Sequence, residues 1–247
     1  MSRGEERRQA REVGSDMKKF YLLFGAVAAI GIGVVAFNVG SSVLSDAVSA
    51  PIVLDLEDDE ALVELAQGVT SGDPDAPVTI VEFGDYQCPA CGSFGLSVKP
   101  QIDGTFVESG EAKFVFYDFP LVSIHPNAFI AARAGRCADE QGGFWEFQET
   151  MFRNQSQWST VATPAGTFAD YAADLGMDKG QFGDCVNSDR YADVITANME
   201  LGARMGVSGT PTILINANGQ LRRVNNNDYQ SIVGAIEGLT SEEIDPN

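Results

Sequence analysis

The chain has 247 residues, 44% of them hydrophobic, enough for one mid-sized domain with a sizeable core, alone or with an appendage. Its formal net charge of −19 argues against nucleic acid as a partner, because phosphate binding needs clustered Lys and Arg that release counterions. The acidity reads as a solvated surface, and the count of only five lysines is compatible with a salt-rich habitat.

The charge is unevenly placed. Before residue 20 stand six basic residues (Arg3, Arg7, Arg8, Arg11, Lys18 and Lys19) and four acidic ones; after it come ten basic and thirty-one acidic. Between them lies the uncharged run FYLLFGAVAAIGIGVVAFNVG, residues 20–40, about the 20 residues that a helix needs to span a bilayer. The flanking Arg and Lys place residues 1–19 in the cytoplasm and everything after residue 40 outside it, periplasmic or at the cell surface. A buried core helix would carry a polar face, which this run lacks. A signal peptide cleaved after AVSA (47–50) is the competing reading and would give a secreted product. The apolar stretch is longer than the roughly 7–15 residues of a signal core, and Pro51 directly after the cut disfavours cleavage, so the run is expected to be an uncleaved anchor.

Residues 41–76 read as an acidic tether. LDLEDDEALVELAQ has a brief helical rhythm at Leu62, Leu65 and Ala66, and SGDPDAP is dense in breakers, so a solvated spacer is expected. A domain follows over 77–240, with 241–247 as a tail. VTIVEF (78–83) is β-branched, short and bounded by turn signals, which predicts a buried strand. A helix should run from Pro89 towards Glu108, then AKFVFYDF (112–119) forms a second strand closed by Pro120. A helical block spans about 121–206; its aromatic cluster FWEFQETMF has helical spacing and reads as core rather than a ligand box. PTILIN (211–216) and LRRV form a hairpin about ANGQ, and DYQSIVGAIEGL a final helix. The order predicts an α/β fold: a central mixed sheet flanked by helices, begun by a right-handed parallel strand–helix–strand unit and carrying a helical insertion.

The four cysteines are Cys88, Cys91, Cys137 and Cys185. A zinc site needs two close pairs or histidines at ligand spacing, whereas here one close pair, two distant singletons and one histidine, His125, occur, so no metal is expected. A purely structural Cys88–Cys91 bond would close too small a loop to stabilise the fold much. Close spacing does give speed, since the second thiol can attack a mixed disulfide within one molecule. Cys88 stands where strand meets helix, with Pro89 at the first helical position. Free N–H groups and the helix dipole there favour an anionic sulfur, which is expected to be exposed at the helix tip. Cys91, one turn in, is expected to be buried and to act as the resolving thiol.

Glu82 interrupts an apolar strand, where a charge is costly unless paired or neutralised. Burial would raise its pKa and suit it to proton transfer near a buried sulfur, whereas on an edge strand it would simply face water. In SGTPTILIN, Pro211 opens a strand. A cis Thr210–Pro211 bond would turn the backbone sharply and leave polar groups free for an extended substrate; an ordinary trans proline is equally consistent with the sequence.

DAPVTIVEFGDYQCPAC, CADEQGGFWEF and GVSGTPTILIN, in that order and spacing, resemble the DsbA-like thiol–disulfide oxidoreductases of the thioredoxin superfamily over about residues 70–240. The resemblance implies a thioredoxin fold with a helical insertion, Cys88 as the attacking cysteine that carries the mixed disulfide, and Cys91 as its resolving partner. It also implies Glu82 as the buried acid before the motif and Pro211 as a cis proline facing the sulfurs, with Thr210 and Pro211 meeting substrate. It implies no cofactor; the expected partners are reduced or unfolded secreted proteins and a quinone-linked membrane oxidase for reoxidation. One departure matters: strong oxidants of the family carry His before the second cysteine and this chain has Ala90, so a less oxidising couple is expected.

Cys137 and Cys185 fall in the insertion, in a compartment where disulfides persist. Closing a loop of about 49 residues would stabilise by roughly 4 kcal/mol, which favours a structural staple over an electron-relay pair. The reading is a membrane-anchored, extracytoplasmic oxidoreductase that donates its Cys88–Cys91 disulfide, expected to be monomeric. Its rivals are a reductase or isomerase, a metallochaperone or binding module on the same scaffold, and a structural envelope protein.

Overall fold

The computed structural model describes residues 48–56 and 58–241. The expected cytoplasmic terminus, the apolar run 20–40, the start of the tether and most of the tail lie outside the described residues. Among the described residues no helix is long and apolar enough to cross a membrane.

The elements, in chain order, are α1 (Asp59–Leu65), β1 (Val69–Ser71), β2 (Val78–Gly84), α2 (Pro89–Ser97), α3 (Lys99–Ile102), a π-helical turn (Asp103–Val107) and β3 (Ala112–Asp118). The insertion follows as α4 (Ala128–Asp139), α5 (Phe144–Arg153), α6 (Gln155–Trp158), α7 (Ala165–Asp174), α8 (Lys179–Val186) and α9 (Ala192–Arg204). β4 (Thr212–Ala217), β5 (Gln220–Arg223) and α10 (Tyr229–Ser241) complete the described chain.

The strands form one mixed sheet in the order β1-β3-β2-β4-β5. β2 and β3 are parallel, Val78 facing Ala112 through Gly84 facing Asp118, and β1, β4 and β5 pair antiparallel with their neighbours. β2 is therefore interior, with a partner on each side. One face packs Ile80, Phe114, Phe116, Ile213 and Ile215 against helices, Phe94 and Phe129 among the residues that seal them. The other face gathers Phe83, Phe119, Val207 and Leu214.

Two expectations are corrected. The stretch read as a solvated spacer is partly folded. Asp58 caps α1 by accepting from the N–H of Ala61, Leu62 and Ala66 pack with Ala197, and β1 pairs with β3. The apolar residues hidden in that acidic run bury a face, and burial outweighs its polar composition. The helix expected to continue from Pro89 to Glu108 breaks after Ser97, because Pro100 has no N–H to extend the ladder.

Within the insertion, a Cys137–Cys185 disulfide joins α4 to α8. Arg133, on the same helix as Cys137, donates to the carbonyls of Val186, Ser188 and Arg190, and so satisfies groups that the end of α8 leaves unpaired. The buried Arg136–Asp118 pair, 2.6 Å apart, ties α4 to β3.

Candidate active site

β2 delivers the site from the sheet. Its last residue, Gly84, lies tight against Phe116; a Cβ there would lie 2.3 Å from that ring. Residues 85–87 turn, Cys88 takes an extended conformation (φ −73°, ψ 121°) as the N-cap of α2, and Pro89 fills the first helical position. Cys91 follows on the first turn. Both sulfurs are free thiols in the structure.

The two thiols differ in environment. Cys91 is sealed (0% exposed), while Cys88 keeps 7% of its surface. The expected open sulfur at the helix tip is thus corrected to a nearly covered one, because the segment before β4 lies against it: Cys88 Sγ sits 3.4 Å from the carbonyl oxygen of Thr210. The Thr210–Pro211 bond is cis, so the structure brings Thr210 and Pro211 to the sulfur across 122 residues of sequence. Asn227 Nδ2 donates to the carbonyl of Pro211 at 2.8 Å.

The Cys88 thiol is brought down to about 5. The neighbouring Cys91 thiol is the largest cause; burial opposes it, and Thr210 and the N–H groups of Cys91 and Ala90 add to it. Cys91 is pushed well above the usual thiol range, first by burial, then by its contact with Cys88 and the charge of Glu82.

Glu82 is 1% exposed on interior strand β2, so the edge-strand reading does not hold for it. Its Oε1 has no hydrogen-bond partner, and burial pushes the carboxyl up to about 8, against the pull of Lys99 and with a further push from Cys88. Lys99 itself is held between the rings of Phe114 and Trp145, 4.8 and 4.3 Å from their centroids, and pairs with Asp103. Cys137 and Cys185, bonded to each other, are each 1% exposed.

Several residues around the sulfurs were not found from sequence. The N–H of Asp85 points at Cys91 Sγ (3.4 Å), and its buried carboxylate meets the N–H of Gln87, the N–H of Leu121 and Nδ1 of His125. Gln155, from the insertion, donates through Nε2 to the carbonyls of Tyr86 and Cys88. The signals available, an Asp in a turn and a Gln in a helical block, are too common to single these out.

A family model described as thioredoxin matches residues 64–237. Among curated proteins, the chain is 31% identical over 149 residues to disulfide bond formation protein D of Bacillus subtilis, across 59% of this chain and 66% of that protein. It is 33% identical over 145 residues to the Na(+)/H(+) antiporter NhaA 3 of Salinispora tropica, across 59% of this chain but 21% of the antiporter. The chain thus spans about a fifth of the antiporter and just under two thirds of the Bacillus protein. Among solved structures, oxidised BdbD from Bacillus subtilis superposes with a TM-score of 0.63 at 26% identity, covering 80% of this chain and 100% of that one. Wolbachia pipientis alpha-DsbA1 superposes at 0.61 with 21% identity, over 78% of this chain and 96% of that one, a likeness of fold.

Proposed function

The chain belongs to the thioredoxin family, and on that premise we propose that it is a thiol:disulfide oxidoreductase acting on protein substrates through Cys88 and Cys91. The observation that carries this is the opposed poise of two thiols one helical turn apart: Cys88 at about 5 and still 7% exposed, Cys91 sealed and held well above its usual range.

In the disulfide form, a substrate thiolate attacks Sγ of Cys88, the less buried sulfur. A substrate–Cys88 bond forms, the Cys88–Cys91 bond breaks, and its electron pair goes to Cys91. Glu82 keeps its proton at neutral pH, and the ionised form that it leaves behind acts on Cys91 through its charge, so it is near enough to supply the proton. A second substrate thiolate then attacks the substrate sulfur, closing the substrate disulfide and expelling Cys88 as a thiolate. A low-pKa thiol is the better leaving group, so this poise favours donating the disulfide. Thr210 and Pro211, against the Cys88 sulfur, are the backbone on which an extended substrate pairs.

The name of the Bacillus relative, disulfide bond formation protein D, supports the oxidising direction. The uncharged run 20–40 with its basic flank supports a single anchor and a catalytic domain outside the cytoplasm. Reduced secreted proteins are then the substrates, and a quinone-linked membrane oxidase restores the disulfide. Ala90 favours a second reading, a reductase or isomerase, since it removes an imidazole stabiliser of the thiolate. Thiol trapping in cells separates them: an oxidant is found mainly as the Cys88–Cys91 disulfide. The broader test is peptide oxidation and insulin reduction by the purified protein, with a potential measured against glutathione. Activity that survives Cys88→Ser would sink the proposal.

A further inference from the structure

Asp85 is the one residue of the turn before α2 that touches both cysteines through its main chain. Its carbonyl accepts from the N–H of Cys88 (3.1 Å), a backbone contact, while its own N–H points at the sulfur of Cys91 (3.4 Å). Its side chain is fully buried and meets three groups: the N–H of Gln87 at 2.7 Å, the N–H of Leu121 at 2.9 Å and Nδ1 of His125 at 2.7 Å. The loop after β3 is in turn fastened to the end of β2, since Phe119 N–H donates to Gly84 O at 2.7 Å. His125, the single histidine of the chain, therefore braces a carboxylate that fixes the turn on which the Asp85 N–H is mounted.

We propose that Asp85, braced by His125, is a positioning residue for the resolving half of the exchange: its carboxylate holds its own N–H on the sulfur of Cys91. This rests on the oxidoreductase reading above. An amide dipole aimed at a sulfur stabilises negative charge there whether Cys91 is attacking a mixed disulfide or leaving from the Cys88–Cys91 bond. Consistent with this, the Asp85 N–H draws the Cys91 thiol downward, against burial, Cys88 and Glu82, which push it up. Cys88 receives no such help at its sulfur from Asp85, so the two halves of the reaction should separate.

The test uses the reduced full-length protein and oxidised glutathione, with acid quenching and mass measurement of the species formed. In the first step the Cys88 thiolate bonds to one glutathione sulfur, and the other glutathione leaves as a thiolate. In the second, Cys91 loses its proton to the ionised fraction of Glu82 or to solvent and attacks the Cys88 sulfur. The Cys88–Cys91 bond forms, and the second glutathione leaves with the electron pair of the broken bond. Asp85→Ala is expected to slow the second step about tenfold and His125→Ala about threefold, the loss of all or part of one hydrogen bond to a charged sulfur. The first step and the Cys88 titration midpoint should stay within about twofold and a few tenths of a pH unit. Asp85→Asn, which keeps an acceptor without the charge, should fall between wild type and Asp85→Ala. An unchanged second step in folded His125→Ala overturns the assignment even if Asp85→Ala does not fold. Equal slowing of both steps in Asp85→Ala also overturns it, being the mark of a merely loosened turn. A wild-type chain that forms no mixed disulfide at all would instead defeat the oxidoreductase reading.

Discussion

Gln155 Nε2 lies 2.9 Å from the carbonyl oxygen of Cys88 and 2.8 Å from that of Tyr86, so a side chain from the insertion holds the backbone of the loop that presents the reactive sulfur. Gln87 returns the link: its Nε2 donates to the carbonyl of Ser159 at 2.9 Å, and its Oε1 accepts from the N–H of Asn127 at 2.8 Å. The insertion thus does more than enlarge the core. Gln155→Ala removes two hydrogen bonds from a half-buried site and is expected to destabilise the reduced protein by about 1–3 kcal/mol in urea unfolding. Gln155→Glu, which sets an acceptor against two carbonyls, should be worse than Ala. An Ala variant as stable as wild type would show that the clamp contributes nothing.

With the Cys88 thiol at about 5, alkylation of the reduced protein by iodoacetamide should rise with pH through that value and level off before neutrality. The sign for stability follows from the same shift. The folded value lies below that of a free thiol, so the anion favours the reduced fold. That contribution is complete above about pH 8.5, the free-thiol value, and is lost as pH falls through about 5. Thiolate absorbance near 240 nm measures the midpoint, and Cys88→Ser should abolish the acid-range change. A midpoint near 8.5 would remove the basis for Cys88 as the attacking group.

Glu82 runs the other way. Burial raises its folded value from 4.5 to about 8, so the fold retains a proton that the unfolded chain releases, and stability falls as pH rises between those two values. At pH 7 the deficit is at most about 3 kcal/mol. Glu82→Gln keeps the shape without the ionisation. It should match wild type near pH 4, exceed its stability at pH 7, and exchange disulfides on the order of a hundredfold more slowly for want of a proton donor. Parallel pH profiles of wild type and variant in thermal unfolding would rule out the buried carboxyl as their source.

How far these features could be read in advance depends on sequence distance. The strands around 78–83, 112–119 and 211–216 fall within a residue or so of the structure, because short β-branched runs between turn signals leave little choice. The burial of Glu82 was legible as a charge inside such a run. The relation of Cys88 to Cys91 needs only one helical turn. The cover over Cys88 comes from Thr210, 122 residues on, where the SGTP stretch already marks a proline facing the sulfurs; the brace on Asp85 from His125, 40 residues on, leaves no local mark. Residues 59–71 misled for another reason. The rhythm of Leu62, Leu65 and Ala66 is visible, but acidic density and the breakers outweigh it, and it is tertiary burial that turns that stretch into a helix and an edge strand.

The Cys137–Cys185 bond poses a choice between staple and relay that a double variant decides. The bond spans 48 residues, and loop closure of that length stabilises by about 4 kcal/mol. Both sulfurs are sealed at 1% exposure, and Glu140, near Cys185, is bonded to Arg190 and Tyr191, so a layer of polar side chains lies beside the disulfide. A relay needs a thiolate to reach one of these sulfurs, and burial prevents that while the fold is intact. Replacing both cysteines by Ala should therefore lower unfolding stability by about 4 kcal/mol. Disulfide exchange through Cys88 and Cys91 should stay within about twofold of wild type at temperatures where the variant is folded. Stability left intact with exchange impaired would reverse the assignment and make the pair a redox partner of the first.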